Sequence, residues 1–148
     1  MKSETEEIVI LMADDDLDDQ LLTKEALAAA KLTNNIYFVN DGAELLDFLY
    51  RRGKYSDPKS APRPGLILLD LNMPRMDGRE ALEVIKEDKA LRKIPVVVLT
   101  TSNAEEDIVR TYDLGVNSFI SKPVSFDQLT ATMKGLAQYW FSIVKLPR

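Results

Sequence analysis

Cysteine and histidine are missing altogether from this 148-residue chain. Without cysteine there can be no disulfide and no thiolate metal site, and the chain suits a reducing compartment. Without histidine there is no imidazole base, no imidazole metal ligand and no histidine to carry a phosphoryl group. Any metal must be held by oxygen, which favours Mg2+ or Ca2+. Long apolar runs are absent too. The run at residues 8–13 is too short for a signal-peptide core, and no stretch approaches the ~20 apolar residues that cross a bilayer. A cytoplasmic protein that does not enter a membrane is expected. Positive charge is scarce: 24 acids outweigh 19 lysines and arginines, for a net charge of −5. That balance gives nucleic-acid binding little electrostatic support.

The acids that are present collect in one place. The stretch LMADDDLDDQ ends an apolar run and then sets Asp14, Asp15, Asp16, Asp18 and Asp19 within six positions. Two carboxylates ~4 Å apart repel by ~4 kcal/mol at an effective dielectric of ~20. Such a run must either splay into water or be held together by a cation. Asp16, Asp18 and Asp19 suit the first turn of a helix, where the dipole favours negative charge. Asp14 and Asp15 stand at the end of a strand and need another account.

Short apolar runs alternate with helical periodicity along the rest of the chain. Residues 8–13, 66–70, 94–100 and 117–121 read as strands, with 36–40 a weaker one. Three of them are apolar on consecutive residues, as parallel strands covered on both faces are. Between them, Leu17, Leu21, Ala28 and Leu32 mark one helical face. Leu45, Leu46 and Leu49 mark a second, Ala81, Leu82 and Ile85 a third, and Ala104, Ile108 and Tyr112 a fourth. Asp41 with Glu44, Asp77 with Glu80, Ser102 with Glu105 and Ser125 with Gln128 have capping-box spacing. Gly53 after Arg51 and Arg52 suits a helix C-terminus. Residues 51–65, with three prolines, form the one long loop, an exposed excursion. The β-α order repeats five times, which predicts a doubly wound α/β domain: a five-stranded parallel sheet with helices on both faces.

In such a sheet, ligands bind beyond the carboxyl ends of the strands. The first strand delivers Asp14 and Asp15 there, the third Asp70, the fourth Thr100 and the fifth Lys122. Carboxylates can hold a hard divalent cation. A cation and a lysine can neutralise phosphoryl oxygens, and a hydroxyl can donate to one of them. With no histidine or cysteine available, a carboxylate is the nucleophile. Asp70 is the choice, because it lies between the acid pair and the Thr/Lys side.

The segments MADDD, LLDLNMPRMDG, VVLTTSN and SFISKPV, in this order and at these spacings, resemble the receiver domains of two-component response regulators, a flavodoxin-like (CheY-like) fold. The resemblance runs from about residue 8 to residue 137 and implies that Asp70 accepts a phosphoryl group from the histidine of a sensor kinase. It further implies that Mg2+ is bound by Asp15 directly, by Asp14 mainly through water, by Asp70, and by the main-chain carbonyl of Asn72. Lys122 is implied to pair with the phosphoryl group, and the bond to Pro123 to be cis. Thr100 and Phe119 take the places of the family's switch pair, though Phe119 lacks the hydroxyl that many relatives have there. Asn72 and Ser102 fall where side chains tune the lifetime of the phosphoryl group. The run APRPGLILLDLNMPRMDGREALEVIK, with the aromatic C-terminus, is similar to the regulators that partner bacterial phytochrome kinases.

Blander readings stand beside these. Thr100 is also an ordinary β-branched strand residue, Phe119 a core residue and Lys122 a solvated lysine, while Asp77 and Gly78 need no role beyond a turn and a cap. A Mg2+-dependent phosphatase with an aspartyl nucleophile would use similar charges, but it needs a second acid two residues on, where this chain has Asn72. A module that takes no phosphate, or a flavin carrier, is the remaining competitor. The chain is expected to be no enzyme beyond its own phosphorylation and dephosphorylation.

At the C-terminus, Phe126, Leu129, Met133, Leu136, Trp140 and Ile143 recur at 3-4-3-4-3, the spacing of a helical seam. The first three suit a helix that covers the sheet. Residues 138–148, beyond a receiver domain at 1–137, add Tyr139, Trp140, Phe141, Ile143 and Val144. They predict a docking segment, and a homodimer built on it. Only eleven residues follow residue 137, so no DNA-binding output domain is expected.

Overall fold

The computed structural model describes residues 9–31, 35–100, 108, 113–116, 118–121 and 125–136, and for Thr100, Ser118, Phe119, Ser121 and Leu136 the backbone alone. The strands are β1 (Ile10–Ala13), β2 (Ile36–Val39), β3 (Leu66–Leu69), β4 (Val96–Thr100) and β5 (Ser118–Ser121). The helices are α1 (Leu17–Ala29), α2 (Gly42–Tyr50), α3 (Gly78–Glu87) and α4 (Phe126–Leu136), with a 3-10 turn at Gly53–Tyr55. All strand pairs are parallel, in the order β2-β1-β3-β4-β5.

Side chains alternate across a strand, so each central strand feeds two cores. Leu11, Ala13, Ile67, Leu69, Val96 and Val98 pack on one side, with Leu45, Leu46 and Leu49 of α2 and Ala81, Leu82 and Ile85 of α3. Ile10, Met12, Leu66, Leu68, Val97 and Leu99 pack on the other, with Ala26 and Leu27 of α1 and Leu129 and Met133 of α4. Consecutive apolar residues in β1, β3 and β4 are thereby all buried. At the edge, β2 buries only Val39 fully, which explains its weaker signal.

Three expectations need correction. On α1 the buried residues are Thr23, Ala26 and Leu27, whereas Leu17 and Leu21 are 74% and 56% exposed and Ala28 is exposed. The segment is helical as expected, but Leu17, Leu21 and Ala28 mark the outward face, while Leu27 goes inward. On α4, Leu129 and Met133 cover the sheet but Phe126 is 41% exposed. At the end of α2 the left-handed cap is Arg51 (φ 55°), not Gly53. Residues 51–65 are mostly exposed, as expected, and are tied to the fold where Arg51 Nε donates to the carbonyl of the buried Ala61 (3.1 Å).

The caps follow the sequence closely. Asp16 is the N-cap of α1 and accepts from the N–H groups of Asp18 and Asp19. Asp41 caps α2 through the N–H of Glu44, and Asp77 caps α3 through the N–H of Arg79. Ser125 and Gln128 bond reciprocally at the start of α4. Ser102, Glu105, Ala104, Tyr112 and Leu32 lie outside the described residues. No described helix is long and apolar enough to cross a membrane.

Candidate functional site

The sheet order sets β3 between β1 and β4, with the chain reversing direction across the sheet between β1 and β3. A crevice forms at such a reversal, outside the carboxyl ends of the strands. Asp14 and Asp15 follow β1 and Asp70 follows β3, and the pairing of Ala13 with Leu69 sets them side by side. A carboxylate oxygen from each of the three lies within 4.8 Å of the others.

Two of these acids are withdrawn from water. Asp14 and Asp70 are buried, and Asp15 is exposed. The buried pair is oriented by the same local device: Asp14 Oδ1 accepts from the N–H of Asp16 (2.9 Å), and Asp70 Oδ1 from the N–H of Asn72 (3.0 Å). Their backbones are equally fixed. The N–H of Asp14 donates to Val39 and the N–H of Asp70 to Ala13, at 3.0 and 2.9 Å. The donor set is all oxygen, anionic and compact, which fits a hard divalent cation.

The loop after Asp70 is held against the sheet by α3. The N–H of Gly78 donates to the carbonyl of Leu71 (2.9 Å). A Cβ at Gly78 would meet the carbonyl oxygen of Asp70 at 2.3 Å, so only glycine lets the helix start so close to Asp70. Gln20 of α1 joins the site from the other side, its Nε2 donating to the carbonyl of Asp14 (2.7 Å) and to Asn40 Oδ1 (3.2 Å). Sequence reasoning does not find Gln20, and it assigns Gly78 no more than a turn. For the glycine the available signal is the order cap, glycine, helix directly after the third strand.

Thr100 ends β4 and pairs with Ser121 of β5, while Phe119 pairs with Val98. Their side chains, together with Lys122, Pro123, Trp140, Phe141 and Ile143, lie outside the described residues.

Residues 10–134 match the response regulator receiver domain. This chain belongs to that family. Response regulator Rcp1 of Synechocystis sp. is 40% identical over 139 residues, which span 94% of this chain and 92% of Rcp1. The crystal structure of the phosphorylated cyanobacterial phytochrome response regulator RcpA superposes with a TM-score of 0.84 at 43% identity, covering 95% of this chain and 99% of that one. The Mn2+-bound form of Rcp1 gives 0.82 at 39% identity, with the same coverage. The receiver is thus a response regulator of two-component phosphorelay signalling, homologous over nearly its whole length to Rcp1 and RcpA.

Proposed function

We propose that Asp70 is the phosphoacceptor of this receiver and takes its phosphoryl group from a phosphohistidine of a sensor kinase. A carboxylate oxygen of Asp70 attacks phosphorus, the P–N bond breaks, and the imidazole leaves with its electron pair and is reprotonated. The observation that carries this reading is the convergence of Asp14, Asp15 and Asp70 within 4.8 Å, with Asp70 in the middle of the strand order. Asp14, Asp15, Asp70 and the main-chain carbonyl of Asn72 would hold Mg2+, which when bound neutralises charge on the phosphoryl oxygens. Lys122 neutralises the remaining charge. Thr100 donates a hydroxyl to a phosphoryl oxygen, and Phe119 repacks behind it as the switch.

The partner proposed is a phytochrome histidine kinase, on the strength of the likeness to Rcp1 and RcpA over nearly their full lengths. A homodimer through α4 and the segment 138–148 completes the reading. The exposure of Phe126 supports a seam that continues outward from the sheet-covering Leu129 and Met133.

Acetyl phosphate with Mg2+ tests the central claim. The wild type is expected to gain one alkali-labile phosphoryl group, and Asp70→Asn none. A gain that survives in Asp70→Asn, or steady release of phosphate from many monoesters, refutes it. For the dimer, light scattering on Trp140→Ala is expected to give half the wild-type mass, and equal masses refute the seam.

A further inference from the structure

Arg75, in the loop between β3 and α3, has a left-handed backbone (φ 61°) that glycine adopts freely and a residue with a Cβ does not. A turn alone would be better served by glycine, so the arginine side chain must contribute something. Its guanidinium reaches Asp41 at the start of α2: Nε donates to Asp41 Oδ2 at 2.9 Å, and Nη2 donates to the same oxygen. The Arg75 side chain is 74% exposed and that of Asp41 only 1%. A buried carboxylate needs a cation, and here the cation closes over it from the solvent side.

The two oxygens of Asp41 divide the work. Oδ1 accepts from the N–H of Glu44 (2.8 Å) and caps α2. Oδ2 is therefore not needed for the cap, and it takes the arginine. The neighbouring residues repeat the attachment through the backbone, with the N–H of Gly42 donating to the carbonyl of Met76 at 2.8 Å. Burial tends to raise the Asp41 carboxyl, yet the Glu44 N–H and Arg75 outweigh it and hold the group below its ordinary range. Residues 75 and 76 are thus fastened to residues 41 and 42 at two points. The same loop is fastened at its ends by Asp70 N–H to Ala13 and Gly78 N–H to Leu71.

We propose that the Arg75–Asp41 pair is a positioning clasp for the cation pocket, holding the middle of this loop so that Asp70 and Asn72 keep their places beside the acids of β1. The inference rests on the cation reading of that pocket. Arg75 touches neither cation nor phosphoryl group and acts through the loop.

The test is Mg2+ titration of the full chain, followed by calorimetry, in the wild type, Arg75→Gly, Arg75→Lys and Asp70→Asn, with melting curves of each. In Arg75→Gly we expect a lower melting temperature, because relief of the backbone strain offsets only part of the loss of buried Asp41's partner, together with Mg2+ affinity about tenfold weaker, as loss of outer support costs other metal sites. Faster hydrogen exchange at the Gly42 amide should accompany it, and Arg75→Lys should recover most of the affinity. If Arg75→Gly binds Mg2+ as the wild type does while Asp70→Asn does not, the clasp is overturned and the pocket stands. If melting temperature and affinity fall together and lysine rescues neither, the arginine is mere structural support and the proposal also fails. A wild type without saturable uptake removes pocket and clasp alike.

Discussion

Replacing Gly78 by alanine puts a methyl group where three backbone atoms already stand. The added Cβ would lie 2.3 Å from the carbonyl oxygen of Asp70, 2.8 Å from Leu71 Cα and 3.1 Å from Asp70 C. None of these can swing aside as a side chain could. To reach the ~3.5 Å at which such atoms rest, the start of α3 must recede by about 1 Å. That retreat strains the bond from the Gly78 N–H to Leu71, worth ~1 kcal/mol, and overpacking of this kind costs ~1–3 kcal/mol. Alanine's helical advantage over glycine, ~1 kcal/mol in a helix interior and less in a first turn, does not offset both. A net loss of about 2 kcal/mol lowers the melting temperature by about 4–8 °C for a domain of this size. Gly135 in α4 is the control: among the described residues nothing lies within 4 Å of its added Cβ, so Gly135→Ala should gain up to ~1 kcal/mol and melt about 2–4 °C higher. Calorimetric melts of the two variants decide the matter. A Gly78→Ala protein as stable as the wild type, beside a Gly135→Ala protein that is stabilised, would refute the close-approach argument.

Asp41 makes stability depend on acid. Burial pushes its carboxyl up, but the Glu44 N–H and Arg75 more than compensate, so its folded pKa lies below the ordinary 3.8. Its contribution is therefore complete above 3.8 and lost as the pH falls through the lower folded value. Urea midpoints between about pH 5 and pH 2 should drop less steeply for Asp41→Asn than for the wild type, and parallel curves would contradict this. The phase of α1 is checked by a pair of variants. Leu21→Gln should change stability by less than about 0.5 kcal/mol, whereas Leu27→Ala should cost about 2–5 kcal/mol. The reverse order in denaturant melts would restore the face marked by Leu17 and Leu21.

What could be read in advance depended on how local the cause was. The strands β1, β3 and β4 were legible because burial on both faces leaves no polar position to confuse the pattern. Caps were legible because each joins residues two or three apart. The phase of α1 was not, because it depends on which side chains fit the space between the sheet and α4. There Thr23, Ala26 and Leu27 go inward, with Thr23 Oγ1 satisfied by the carbonyl of Asp19 (2.9 Å). The same holds within the site. Asp14, Asp15 and Asp70 announce themselves because strand ends in a parallel sheet meet at one edge. Arg75 and Asp41 stand 34 residues apart, and nothing in either neighbourhood names the other. Gln20 is likewise hidden, since its partner Asn40 belongs to the turn after β2.

The N–H of Asp70 reaches back to Ala13, and the next residue's carbonyl takes the N–H of Gly78. On the proposed role of Asp70, a newly phosphorylated carboxylate would therefore find no room by retreat of its own strand. If Asp70 is the acceptor proposed above, it is the stationary part of the device, and what moves in response is a neighbour.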